Sequence, residues 1–151
     1  MRLLIVFLLL FPSFAAFSQI TLGEDNLYYD DNKKLYNGSY IEFFENGNKR
    51  TEMNIKDGRK DGTTTLFFEN GNPSEIRSYK EGKMHGQWIT FSETSDTLST
   101  AEYFDDKKHG TWIIRDAGGT KRYEMHYEKG NRSGTWYMWD ESGKLTMEKE
   151  Y

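Results

Sequence analysis

The chain of 151 residues contains no cysteine, which excludes a disulfide framework, thiol catalysis and thiolate metal sites. It has no excess of positive charge either: 20 Lys and Arg stand against 24 Asp and Glu, a formal net charge of −4. That balance argues against holding nucleic acid by bulk charge. Leucine and alanine are scarce, with six Leu and two Ala after residue 18, too few to build amphipathic helices. The one long apolar run, Leu3 to Phe11, is too short to span a bilayer. It follows Arg2 and precedes Pro12 and the small residues Ala15, Ala16 and Ser18, the pattern of a secretory signal peptide over residues 1–18. Cleavage is expected after Ser18, since Ala16-Phe17-Ser18 puts small side chains where a signal peptidase accepts them. The mature chain then carries 19 bases against 24 acids, has no transmembrane segment and is expected in the periplasm or outside the cell.

What remains is rich in rings and glycine. Of the 133 residues after 18, 20 are aromatic, a bias toward strands. Gly38, Gly62, Gly86, Gly110 and Gly134 recur every 24 residues, and a period of this size marks a repeat array. Four full repeats and a truncated fifth (38–61, 62–85, 86–109, 110–133, 134–151) follow a degenerate leader over 19–37. A second glycine stands nine residues on, at Gly47, Gly71, Gly119 and Gly143, with Ser95 as the departure; a third recurs at Gly58, Gly82 and Gly130, with Asp106 once. Asp is among the few side chains that tolerate positive φ, so this is a left-handed turn position. The short runs between glycines suit strands and not helices. The expected fold is all-β: an elongated antiparallel meander of about ten strands built from 24-residue β-hairpin repeats.

Two geometries compete for the turns such as Glu45-Asn46-Gly47-Asn48. A two-residue type I′ loop needs positive φ twice, which Thr94 and Ser142 resist. A type I turn closed by a glycine bulge needs it once, and is preferred here. Carried along the hairpin, that choice puts Ile41, Phe43, Met53 and Ile55 on one face, with Phe67, Tyr79, Ile89, Phe91, Ala101, Tyr103 and their equivalents, as the core. The opposite face is polar except for the second residue of each repeat: Tyr40, Thr64, Trp88, Trp112 and Trp136. Two readings of that stripe stand: cover for backbone exposed at the leading glycines, or a contact surface, since Trp and Tyr dominate binding hot spots. The candidate partner-binding residues are Tyr40, Trp88, Trp112 and Trp136.

Gly86-Gln87-Trp88, Gly110-Thr111-Trp112 and Gly134-Thr135-Trp136, with Tyr36-Asn37-Gly38-Ser39-Tyr40 upstream, resemble MORN repeats. Phe67-Phe68-Glu69-Asn70-Gly71 and Tyr79-Lys80-Glu81-Gly82-Lys83 resemble the bacterial MORN variant more closely, and the resemblance runs over 36–151. It implies an antiparallel meander that serves as a binding or scaffolding module. One bacterial branch is labelled the antitoxin half of toxin–antitoxin pairs.

Catalysis needs unlike groups converging on a point, whereas a repeat spreads like groups in rows. His85 and His109 share a repeat position, two strands or roughly 10 Å apart; with Asp61 and Ser133 they read as a turn row and not as a metal site. His126, between Glu124 and Glu128, reads as a surface residue. Ala117-Gly118-Gly119-Thr120 is a turn and not a phosphate loop, because no helix follows it. The basic pairs Lys33-Lys34, Lys49-Arg50, Arg59-Lys60, Lys107-Lys108 and Lys121-Arg122 lie near acids and read as solubilising. Acids and bases alternate along the last strand, which discourages edge pairing. No catalytic residue and no cofactor is expected. The sequence points to an exported, non-enzymatic module for a protein or cell-envelope polymer, or to an immunity protein against a toxin acting outside the cytoplasm.

Overall fold

The computed structural model describes residues 20–151; the expected signal peptide, 1–18, lies outside the described residues. Ten strands form one antiparallel sheet in strict sequence order. They are β3 (Gly38–Phe43), β4 (Lys49–Lys56), β5 (Arg59–Phe67), β6 (Pro73–Lys80), β7 (Lys83–Phe91), β8 (Thr97–Phe104), β9 (Lys107–Arg115), β10 (Lys121–Glu128), β11 (Asn131–Trp139) and β12 (Leu145–Glu150). Two short strands, β1 (Thr21–Leu22) and β2 (Tyr28–Tyr29), pair with each other in the leader. The all-β meander expected from the 24-residue period is the fold observed.

The turns within repeats have the expected geometry. Gly47 N–H donates to Phe44 O at 3.0 Å and Phe44 N–H to Asn48 O at 2.8 Å, with Gly47 at φ +86°: a type I turn closed by a glycine bulge. Ser95 replaces the glycine once and adopts φ +70°. Asn side chains lock these turns to their neighbours, Asn46 and Asn48 both donating through Nδ2 to Glu69 O, and Asn70 and Asn72 to Glu93 O. The type I′ geometry occurs too, between repeats. Asp57-Gly58, Glu81-Gly82, Asp105-Asp106 and Lys129-Gly130 all have positive φ at both positions.

The face assignment is corrected by a feature the turn does not reveal. Phe43 pairs with Lys49, as the turn dictates, but Glu42 pairs with Thr51 and Tyr40 with Met53, so Arg50 is an extra residue in β4. Ser74, Leu98, Arg122 and Thr146 are the equivalent extra residues. Each is a β-bulge, and each shifts the register by one, which exchanges the faces of one strand relative to its partner. Ile41, Phe43, Ile89 and Phe91 therefore do not share a face with Met53, Ile55, Ala101 and Tyr103. Tyr40, Trp88, Trp112 and Trp136 do. The stripe expected opposite the core lies on the face that holds the most buried residues: Ile55 is 4% exposed, Met53 6%, Thr64 3% and Trp136 8%.

One sheet layer cannot seal a side chain, and no large one among the described residues is fully buried. The deepest point is where the leader folds back. Tyr28 N–H donates to Gly58 O at 2.8 Å, Gly58 N–H to Tyr36 O at 2.9 Å and Tyr36 N–H to Tyr28 O at 2.9 Å. Burial first, then the neighbouring phenols of Tyr79 and Tyr40, raise the Tyr28 phenol above its ordinary value.

Candidate partner-binding face

The leading glycines create the site. Met53 pairs with Thr64 but Ile55 with Lys60, so β5 carries two extra residues around Gly62, which adopts φ +90°. The same irregularity recurs at Gly86, Gly110 and Gly134, with φ between +58° and +91°. Each interrupts the ladder beside a carbonyl that the next tryptophan reaches. Trp88 Nε1–H donates to Ser78 O at 3.3 Å, Trp112 to Glu102 O at 3.0 Å and Trp136 to His126 O at 3.0 Å. Of the two readings of the stripe, covering backbone at the leading glycines is thus a role these tryptophans have.

The register brings a second row up to the first. One tyrosine from each of the last four repeats, Tyr79, Tyr103, Tyr127 and Tyr151, interleaves with the tryptophans in one continuous ladder. From Tyr79 to Trp88 the ring centroids lie 5.8 Å apart, then 4.9 Å to Tyr103, 5.1 Å to Trp112, 5.4 Å to Tyr127, 5.1 Å to Trp136 and 4.7 Å to Tyr151. Successive planes are tilted by 51–61°, the inclined geometry that aromatic quadrupoles favour. Tyr40 stands at the far end beside Met53, outside the continuous run. These four tyrosines repeat every 24 residues in the sequence; the period marks them, but only the register joins them to the tryptophans.

Cations cover the ladder. Lys60 Nζ lies 5.2 Å from the Tyr79 centroid, the Arg77 guanidinium 5.1 Å from Trp88, and Lys108 Nζ 4.3 Å from Trp112 and 4.9 Å from Tyr127. Arg132 stands 4.8 Å from Trp136 and 5.0 Å from Tyr151, and Lys149 4.7 Å from Tyr151. Arg77 has a carboxylate partner, Glu75 at 2.7 Å. The ion pairs of the described residues include none from Lys60, Lys108, Arg132 or Lys149. Burial, and then the Arg77 charge, lower the Lys60 ammonium below its usual value. Two of the basic pairs read as solubilising, Arg59-Lys60 and Lys107-Lys108, therefore each send one member to the ladder. Lys49-Arg50 and Lys121-Arg122 do meet acids, Lys49 with Glu52 at 2.8 Å and Lys121 with Glu124 at 2.7 Å.

The carboxylates keep to one face. From β7 to β12 the paired positions of the ladder face carry Lys108, Arg132 and Lys149 and no carboxylate, whereas the opposite face mixes Glu102, Glu124, Glu128, Glu148 and Glu150 with Lys83, Lys107, Arg115 and Lys121. His126 lies on that mixed face, 3.1 Å from Thr111 Oγ1 and 3.5 Å from Glu124; it is half-buried and not a free surface residue. In the Asp61, His85, His109, Ser133 row, Asp61 accepts the Glu81 N–H at 2.9 Å and His85 Nδ1 is 3.1 Å from Asp105. The Phe104 ring stands between the two imidazoles, 4.9 Å from His85 and 5.9 Å from His109. Among the described residues no group of three or more side chains is placed to hold a metal ion.

Three segments, residues 36–57, 60–81 and 132–151, match the family model of the MORN repeat variant. The two repeats between them share the same strand register and bulges. No curated protein matches the chain.

Proposed function

We propose that the chain is an exported, non-enzymatic repeat protein that holds a protein or cell-envelope polymer against its ladder face, with Tyr40, Trp88, Trp112 and Trp136 among the contacts. The observation that carries this reading is the composition of the half-exposed strip: Trp, Tyr and cations in alternation, the cations resting on rings and, Arg77 apart, in none of the ion pairs of the described residues. Trp, Tyr and Arg are the residues enriched at binding hot spots, where they bury area at small entropic loss. MORN repeats are often binding modules, and the three matching segments include both ends of the sheet. The tryptophans then do two things: their indole N–H groups hold the ladder to the backbone, and their outer surfaces meet the partner.

The test separates these roles. Ile114 lies on the ladder face at 38% exposure, so Ile114→Glu places a charge on the contact surface without removing a ring. Capture from an envelope fraction by the wild-type protein should be lost in Ile114→Glu and kept in Thr111→Glu, an exposed residue of the opposite face. Equal capture by both variants overturns the reading. Export is checked by N-terminal sequencing, which should begin at Gln19; intact Met1 recovered from the cytosol overturns it.

A further inference from the structure

We infer that the ligand of the ladder face is a linear acidic polysaccharide lying across β7 to β12, its anionic groups on Lys108, Arg132 and Lys149 and its sugar rings on the aromatic floor. This rests on the binding reading above and goes beyond it by naming the chemistry.

Charge complementarity is the first argument. The protein as a whole is acidic, yet these three cations stand on a face that has no carboxylate at its paired positions from β7 onward. Elsewhere on the sheet, Lys49, Lys121, Arg50 and Arg122 each have an acid within reach. Lys108 and Lys149 stand over rings, contacts that gain about 0.5–1 kcal/mol at an exposed site, and Arg132 adds one exposed hydrogen bond to the Tyr151 hydroxyl at 2.9 Å. Little is therefore lost when they turn to an incoming anion.

Shape is the second. The ladder runs across the strands from β6 to β12, a continuous track of about 29 Å at the usual strand spacing. Lys108 and Arg132 hold the same repeat position, two strands or about 9.6 Å apart, so anionic groups recurring along a polymer meet cations recurring along the sheet. A track of this form suits a chain and not a compact ligand.

The floor discriminates between chains. Its indole N–H groups are committed to the carbonyls of Ser78, Glu102 and His126, leaving ring surface. An extended peptide laid on that floor would bury amide groups without partners, at a cost; peptides that bind sheets do so at the edge, where the backbone can pair. A pyranose presents a flat face of C–H groups that rings accept, and it keeps its hydroxyls toward water.

The experiment is titration calorimetry of the purified protein with polygalacturonate, alginate and dextran sulfate, beside neutral pullulan, poly-glutamate and phosphatidylglycerol vesicles. At least one acidic polysaccharide should bind, more weakly as salt is raised, and more tightly than the other three probes. The triple variant Lys108→Gln, Arg132→Gln, Lys149→Gln should lose at least about tenfold in affinity, as expected for three exposed charge contacts, with its circular dichroism unchanged. The control Glu124→Gln, Glu148→Gln on the opposite face should bind as the wild type does. Three results overturn the inference: no acidic polysaccharide binds, the triple variant binds as before, or poly-glutamate or the vesicles bind as tightly, which would assign the face to an acidic protein or a membrane. If Ile114→Glu still abolishes envelope capture while no polysaccharide binds, the choice of ligand fails and the binding face stands.

Discussion

Replacing Trp112 with alanine tests the link between the leading glycines and stability. The ring is half-buried between Tyr103 at 5.1 Å and Tyr127 at 5.4 Å, under Lys108 at 4.3 Å, and it donates to Glu102 O at 3.0 Å. A fully buried Trp→Ala costs about 3–5 kcal/mol, so half-burial sets a base of about 2. Lost ring contacts add about 1 kcal/mol and the lost hydrogen bond about 1; because these overlap, about 3 kcal/mol is expected in all. In a chain of this size that lowers the melting temperature by roughly 10 °C. Trp112→Phe keeps the ring and loses the indole donor, and should cost about 1 kcal/mol. Phe91→Ala, on the opposite face, should cost about 1–2 kcal/mol, because that ring is half-buried and has no such bond. Thermal and urea melts give the ranking. If Trp112→Ala melts with the wild type, or if Phe91→Ala is the more damaging, the ladder is not what holds the sheet.

Thr64 fills the tryptophan position of the second repeat at 3% exposure with its hydroxyl unpartnered, so Thr64→Val should raise stability by about 1 kcal/mol in a urea melt, and a loss would show that the hydroxyl is satisfied. Deleting residues 86–109 brings Trp112 to the place of Trp88 beside Tyr79 and should leave a folded, weaker array, whereas deleting 86–97 joins unlike strands and should unfold it; equal melts would refute the repeat as the folding unit. The Asp140 carboxyl is held below its ordinary value by the Ser142 hydroxyl and then by the Lys144 N–H. Its folded-state value lies under the unfolded one, so its stabilisation is complete above about pH 5 and is lost as pH falls through the folded value. Asp140→Asn should flatten the acid limb of the melting profile; parallel limbs would refute this.

The sequence by itself determined the period, the strands and the type I turn with its glycine bulge within each repeat; the type I′ turns between repeats came from the structure. Glycine at fixed offsets, with Ser95 and Asp106 as the replacements, announces where φ must be positive, because only a few side chains tolerate that conformation. The tryptophan and tyrosine rows were each legible as 24-residue periodicities. Reasoning from the turn alone puts them on opposite faces, and the structure puts them on one. That depends on the bulges at Arg50, Ser74, Leu98, Arg122 and Thr146, which share no single residue type, so none signals them. A bulge is a property of two strands fitted together: the glycine turn sets the register at one end, the irregularity at the next leading glycine sets it at the other, and one residue must be left over between them. With side chains alternating every residue, that single surplus residue moves a whole row from one face to the other. The tertiary structure therefore decided that the aromatic stripe and the most buried residues lie on the same side, and that from β7 onward the cations over it share their face with no paired carboxylate.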